Sequence, residues 1–389
     1  MEILKGGITV APGFSAAARA CGIKENGPDL AVIYSEKPCA CAAVFTSNRF
    51  QGPCIALDRE HLADPVVQAV VVNSGNANVA TGPGGMRDAR SLARAAAKEL
   101  GIAVDRVLIS STGLIGTRLP LVAMRAGLKG IRGELRSSRA AGDRAARAIM
   151  TTDLRPKQVA VRIGEVVIGA MAKGSGMIHP EMGTMLAFVG TNASLPARTL
   201  NRTLRAAVAR TFNRITVDGD TSTSDSVFLL ANGTGPAVPA ARFEQALELA
   251  CGRLARMIVE DGEGATRVLR VEVRGARSEA DAVRVGKAVA GSPLVKAAFG
   301  LMPIPGRILC AVGNSGASFT PCRVDVLYGT VPVVLRGAVV AYNRSAVDRV
   351  LGAREVPVVV DLHAGRRSAA VYGCDLTAEY VRINAQLYT

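Results

Sequence analysis

Short runs rich in Val and Ile alternate irregularly with longer amphipathic stretches along this chain, and that alternation limits its fold more than any other feature. Asp29–Ser35, Cys41–Thr46, Gln68–Asn73 and Arg106–Ser110 are bounded by turn-forming residues and read as strands. Gln158–Ile163 and Glu165–Met171 flank Gly164 as a hairpin. Met86–Leu100, Pro120–Ile131, Arg139–Met150, Arg198–Phe212 and Ala240–Glu260 have helical periodicity, and Gly101 suits a C-cap. Strands return at Leu186–Val189, Ser226–Leu230 and Arg267–Val273. Ser278–Ala288 is a helix opened by a capping-box-like Ser278 and Asp281. Four further strands follow at Arg323–Leu327, Val331–Leu335, Pro357–Leu362 and Ala369–Tyr372. This is a mixed α/β (α+β) chain, not a regular βαβ series. Its 389 residues suit two lobes.

The surface chemistry excludes several classes. Lys and Arg number 47 against 32 Asp and Glu, which raises a nucleic-acid partner. Aromatic residues are only 4% and Trp is absent, so stacking platforms for bases are scarce. The excess is spread along the chain. Its densest stretch, Arg132, Arg136, Arg139, Arg144 and Arg147, reads as a solvated helical face. No nucleic-acid partner is therefore expected. No signal-like or membrane-spanning apolar run occurs. The eight cysteines include no C-x-x-C pair, which suits free thiols in a reducing cytosol. No metal site is expected either. Asp218, Asp220 and Asp225 lack the glycine position of a calcium loop and read as a turn network. His61, His179 and His363 are the only histidines, and no serine-hydrolase elbow or phosphate loop is present.

Four glycine-rich polar segments interrupt the apolar elements: Asn73–Gly82, Ser110–Gly116, Ala172–Leu186 and Phe212–Asp225. Within the third, Gly183-Thr184 precedes an apolar strand. Scission of that bond would give Thr184 a free α-amine, with a pKa of roughly 7.7–8.0. Such an amine accepts the threonine's own hydroxyl proton near neutral pH without a histidine. The alternative is that Thr184 merely opens a strand. An acyl-transfer intermediate also needs oxyanion donors. The Thr112 hydroxyl and the Gly113 N–H can supply them.

The segments KGSGMIHPEMGTML, SSTGLIG, NSGNAN, MTTD, FNRITVDGDTSTSD, DGEGAT and YVRINAQLYT resemble the ornithine acetyltransferase family, the glutamate N-acetyltransferases of the cyclic arginine pathway. The resemblance runs from Pro12 to Thr389. It implies a two-lobed fold and self-cleavage at Gly183-Thr184 into an α chain, 1–183, and a β chain, 184–389. It implies Thr184 as nucleophile, with Thr112 and Gly113 as oxyanion hole. Implied substrate-binding positions are Thr151 (or its neighbour Thr152), Lys173, Thr184, Glu263, Asn384 and Thr389. The substrates would be N2-acetyl-ornithine and glutamate, with no cofactor. Acetyl-CoA is an optional second donor, and the assembly a cytoplasmic heterotetramer of two α and two β chains. Lys173 would pair with a carboxylate and Glu263 with the ornithine ammonium.

Three segments depart from the family pattern. Gly300–Arg307 reads GLMPIPGR, where Met302, Ile304 and Pro305 replace the usual Asp, Asn and Trp. Glu181 and Gly183 precede Thr184 where Asn and Ala are usual, and Ser224 replaces an Asn. These departures bear on acyl-acceptor choice, stability or the rate of self-cleavage, and they allow a family acyltransferase with another acyl acceptor. A separate rival is an N-terminal-nucleophile amidohydrolase in which water accepts the acyl group.

Overall fold

The computed structural model describes residues 1–179 and 185–386. Its strands form two sheets. The larger contains Glu2–Leu4 (β1), Phe14–Arg19 (β2), Leu30–Phe45 (β3), Val66–Asn76 (β4), Val107–Leu114 (β5), Lys157–Ile163 (β6), Val166–Lys173 (β7), Leu186–Thr191 (β8) and Ser226–Ala231 (β9). Their order is β1-β6-β7-β8-β9-β3-β4-β5, with β2 pairing to β3. The smaller contains Val268–Ala276 (β10), Asp325–Tyr328 (β11), Val331–Leu335 (β12), Ala338–Val339 (β13), Glu355–Asp361 (β14) and Arg367–Cys374 (β15), ordered β13-β12-β11-β14-β10-β15. The helices are Pro53–His61 (α1), Gly82–Leu100 (α2), Leu121–Leu128 (α3), Arg139–Ala148 (α4), Ala197–Arg210 (α5), Ala240–Glu260 (α6), Glu279–Gly291 (α7), Pro293–Ala298 (α8), Pro305–Gly313 (α9), Arg344–Leu351 (α10) and Ala378–Gln386 (α11). None is long and apolar enough to cross a membrane.

Strand alternation builds the core on both faces of the large sheet. Val70 and Val72 of β4 point toward the alanines of α4, while Ala69 and Val71 point toward α1 and α2. Ala187, Val189, Val227 and Leu229 of β8 and β9 meet α5 and α6. Their neighbours Phe188 and Phe228 stack on the other face with ring centroids 6.0 Å apart, and Phe45 meets Phe228 edge-on at 5.8 Å. Phe228 is fully buried. Phe228→Ala should cost about 3–5 kcal/mol in urea unfolding, by leaving a cavity at the sheet centre.

The strand and helix types follow the sequence reading, but several boundaries differ. Asp29–Ser35 and Cys41–Thr46 belong to one long strand, β3, which bends at a register shift between Tyr34 and Cys39. The glycine-rich stretches after Asn73 and Ser110 are not loops at their start. Parallel pairing of β4 with β5 continues through Ser74–Thr112 and Gly75–Gly113. The helix expected over Pro120–Ile131 ends at Leu128. Gly130 (φ 70°) then starts a separate 3-10 turn. Gly101 (φ 68°) and Gly164 (φ 60°) act as the cap and hairpin turn expected of them. The Ser278 side chain caps α7 by accepting the Asp281 N–H at 3.0 Å. The arginines from 132 to 147 are exposed.

One boundary bears directly on function. The expected α and β chains do not coincide with the two lobes. β8 and β9, from the second half of the chain, lie between β7 and β3, and α5 and α6 pack on the same sheet. The change of sheet falls after α6 instead. Two fragments cut at Gly183-Thr184 would therefore share one sheet, each hydrogen-bonded along the other's strands.

Candidate active site

The site is built where β5 and β7 end. At Gly75 and Asn76 the parallel ladder shifts register, so Asn76 faces both Thr112 and Leu114. Such a bulge re-aims the side chain beside it. Gly113 has φ +126°, and a Cβ there would lie 2.4 Å from the Gly75 carbonyl carbon. Only glycine fits. The Ser111 hydroxyl donates to Asn73 Oδ1 at 2.7 Å, and Asn73 Nδ2 donates to the Asn76 carbonyl at 2.8 Å, which hold the bulge closed. The result is a buried Thr112 hydroxyl next to a bare peptide.

Lys173, the last residue of β7, is buried and reaches Thr112. Its Nζ donates to Thr112 Oγ1 over a long 3.4 Å. An oxygen that accepts from a lysine is left to donate its own proton elsewhere. Burial lowers the Lys173 pKa, against the opposing pull of Asp153, Asp225 and Glu263.

Behind Lys173 lies a buried charge network. Asp153 Oδ1 accepts the Gly174 N–H at 2.7 Å, and its Oδ2 accepts the Thr151 N–H at 3.0 Å. Lys157 Nζ joins Asp153 at 2.6 Å to Asp261 at 2.5 Å. Burial alone would raise the Asp153 carboxyl, but Lys173, Lys157 and the Gly174 N–H outweigh it and hold it below its ordinary 3.8. A depressed carboxyl stabilises the fold above that value and loses the contribution as pH falls through the lower, folded value. Asp153→Asn should therefore cost about 3 kcal/mol at pH 7, because Lys157 keeps Asp261. The gap to the parent protein should narrow in acid, as followed by urea unfolding at several pH values.

Asp261 also leads into the facing wall. Ser175 Oγ donates to the Asp261 carbonyl at 2.8 Å, and the Glu263 N–H donates to the Ser175 carbonyl at 3.0 Å. A side chain at Gly176 would collide with the Glu263 carboxylate, at 2.5 Å. Glu263 Oε2 accepts from Asn384 Nδ2 of α11 at 2.7 Å. The Asp375 carboxylate takes the N–H groups of Thr266 and Arg267, and Thr377 Oγ1 donates to the Gly264 carbonyl at 2.8 Å. These bonds seat α11 against the DGEGAT turn.

The pocket between these walls measures about 430 Å³. Thr112, Gly113, Thr151, Lys173, Glu263 and Asn384, separate in sequence, all line it. Thr152 lines it too, so both candidates of that pair reach the cavity. A small adjoining void is bounded by Thr112, Lys173, Met185 and Asp225. It brings Thr112, one of the two oxyanion candidates, next to Met185, the residue after Thr184. Burial pushes the Asp225 carboxyl well above its ordinary value, and its Oδ2 has no partner among the described residues. Gly183, Thr184 and Thr389 themselves lie outside the described residues.

Other sequence readings meet the structure here. The Asp218 carboxylate accepts the N–H groups of Met177, Ile178 and Asp220, at 2.6, 2.9 and 3.2 Å, as a turn network does. Ser224, one of the departures from the family pattern, lines the pocket. The GLMPIPGR departure does not. Ile304 is buried in the core of the smaller sheet, Pro305 opens α9 and Met302 is half exposed. That segment bears on the second lobe rather than on substrate contacts.

Two residues of the site were missed by sequence reasoning. Asp153 had a signal in its i,i+4 spacing to Lys157. Lys24 had none. It enters the pocket from the turn between β2 and β3, where the Asp29 carboxylate gathers the N–H groups of Cys21, Ile23 and Lys24 at 2.6, 2.6 and 3.1 Å.

The mixed fold and the charged pocket where β5 and β7 of the large sheet end mark a two-sheet α/β protein whose site suits a small ionic ligand. Comparison with known proteins supports and sharpens this. The model of the ArgJ family matches residues 15–389. The chain is 47% identical to the arginine biosynthesis bifunctional protein ArgJ of Symbiobacterium thermophilum, over the whole of both chains. It is 46% identical to the protein of that name from Thermus thermophilus, over 97% of this chain and 98% of that one. A crystal structure of arginine biosynthesis bifunctional protein ArgJ from Bacillus halodurans aligns with a TM-score of 0.50 and 41% identity, over 52% of this chain and 99% of that chain. The chain belongs to the ArgJ family.

Proposed function

We propose that this enzyme transfers the acetyl group of N2-acetyl-L-ornithine to L-glutamate through an acetyl ester on Thr184, after the chain cuts itself at Gly183-Thr184. One observation carries the reading: Thr112, Gly113, Lys173 and Glu263 converge on one pocket whose adjoining void reaches Met185. The names of the relatives, arginine biosynthesis bifunctional proteins, agree with it. So does the length of the Bacillus halodurans chain, about half of this one.

In the first half-reaction the Thr184 amine takes the hydroxyl proton and Oγ attacks the acetyl carbonyl. The Thr112 hydroxyl, backed by Lys173, and the Gly113 N–H donate to the oxyanion. The C–N bond breaks, the proton passes to the leaving amine and ornithine departs. Lys173 pairs with the substrate carboxylate. Glu263, held by Asn384, takes the side-chain ammonium. Thr151 and the terminal Thr389 complete the substrate contacts. Glutamate then attacks the ester through its α-amine, regenerating Thr184 and releasing N-acetylglutamate. The route needs no cofactor. Acetyl-CoA, as a second donor, would acylate the same threonine. The interleaved strands explain how the fragments stay associated, and we assign the assembly as a cytosolic heterotetramer of two α and two β chains.

The test is ornithine release from acetyl-ornithine with and without glutamate. Sustained release only with glutamate, and parallel double-reciprocal plots, are expected. Equal release without glutamate would identify water as the acceptor and the enzyme as an amidohydrolase.

A further inference from the structure

The pocket has more positive charge than one substrate carboxylate requires. Lys173 and Lys24 both line it, and among the described residues neither forms an ion pair. Lys24 is no ordinary surface lysine. Its backbone is pinned by Asp29, and its stem covers Gly75, where a Cβ would lie 2.9 Å from Lys24 Cγ. Gly75 faces Gly113 in the ladder, so the lysine stands beside the oxyanion turn. Its Nζ donates to the Met150 carbonyl at 2.9 Å. An ammonium has three donors, so two remain. Half-burial lowers its pKa, and Lys173 adds to that against Asp29 and Asp153. A ligand carboxylate there would relieve both penalties.

We propose that Lys24 selects the acyl acceptor, by holding the side-chain carboxylate of an acidic amino acid. This rests on the acetyl-transfer reading and extends it. One pocket must accept, in turn, an amino acid with a cationic side chain and one with an anionic side chain. Glu263 suits the first and repels the second. Lys24 supplies the opposite preference from another wall, and Lys173 remains for the α-carboxylate common to both.

The variants are Lys24→Met, which keeps the stem over Gly75, and Lys24→Arg, which keeps the charge. Lys24→Met should lower kcat/KM for L-glutamate about 10- to 100-fold, the weight of one charge-assisted contact. L-Glutamine, nearly the same shape without the charge, should lose less than about threefold, and so should the KM for acetyl-ornithine. Lys24→Arg should restore most of the glutamate preference. Equal losses for glutamate, glutamine and acetyl-ornithine, or no loss for glutamate, would overturn the proposal and leave Lys24 a support for the Met150 carbonyl. Calorimetric titration of glutamate into the parent protein and Lys24→Met decides the point independently of turnover. A protein that transfers no acetyl group but binds glutamate more weakly as the Met variant would sink the transfer reading and keep the Lys24 assignment. Equal affinities would sink the assignment.

Discussion

Replacing Thr184 by alanine should leave a single uncut chain that neither releases ornithine nor makes N-acetylglutamate. The same oxygen has two tasks in the account: it attacks the Gly183 carbonyl once, during maturation, and the acetyl carbonyl in every turnover. Alanine removes both. Thr184→Ser keeps the oxygen, so it should still cut the chain and then, with the freed amine as base, still transfer acetyl, both more slowly. A denaturing gel reads the first task and ornithine release reads the second. Undiminished transfer by the alanine variant would remove Thr184 from the mechanism.

The next largest effect is expected at Thr112. Thr112→Val keeps the shape of the side chain and removes the hydroxyl. The loss should be about 10²–10³-fold in kcat, the usual weight of one oxyanion donor. KM for acetyl-ornithine should change little, because the contact strengthens only as the oxyanion forms. Lys173 would then have lost the oxygen it meets at 3.4 Å, so part of the loss passes through the lysine. A Lys173→Met, Thr112→Val double variant no slower than the worse single variant would show the two acting as one unit.

The element types, and several residues that line the candidate pocket, were legible from the sequence, for different reasons. Ala240–Glu260 and the Gly164 hairpin carry their own local signals, which the fold follows. The limits of β4 and β5 do not. Whether Ser111–Gly113 is loop or strand is decided by a partner some forty residues away, and local glycine content misleads. The helices α1, α9 and α10 are short and have Pro or Asn at their starts, so their periodicity is too brief to read. In the site, Lys173, Glu263 and Asn384 stand in distinctive segments and meet in one pocket. Lys24 stands in a polar turn that looks like any other, and only the Asp29 cradle directs it inward. GLMPIPGR shows the reverse. Its departures bear on acyl-acceptor choice, stability or self-cleavage rate, and its place in the packing of the smaller sheet points to stability.

The central claim is that Thr184 becomes a new chain terminus and carries the acetyl group. Denaturing intact-mass measurement tests it most directly, on purified protein before and after brief exposure to acetyl-ornithine without glutamate. The account predicts two fragments, the second beginning at Thr184. After exposure that fragment alone should gain one acetyl mass, and glutamate should remove it. An uncut chain with full transfer activity, or an acetyl group carried on the first fragment, would contradict it.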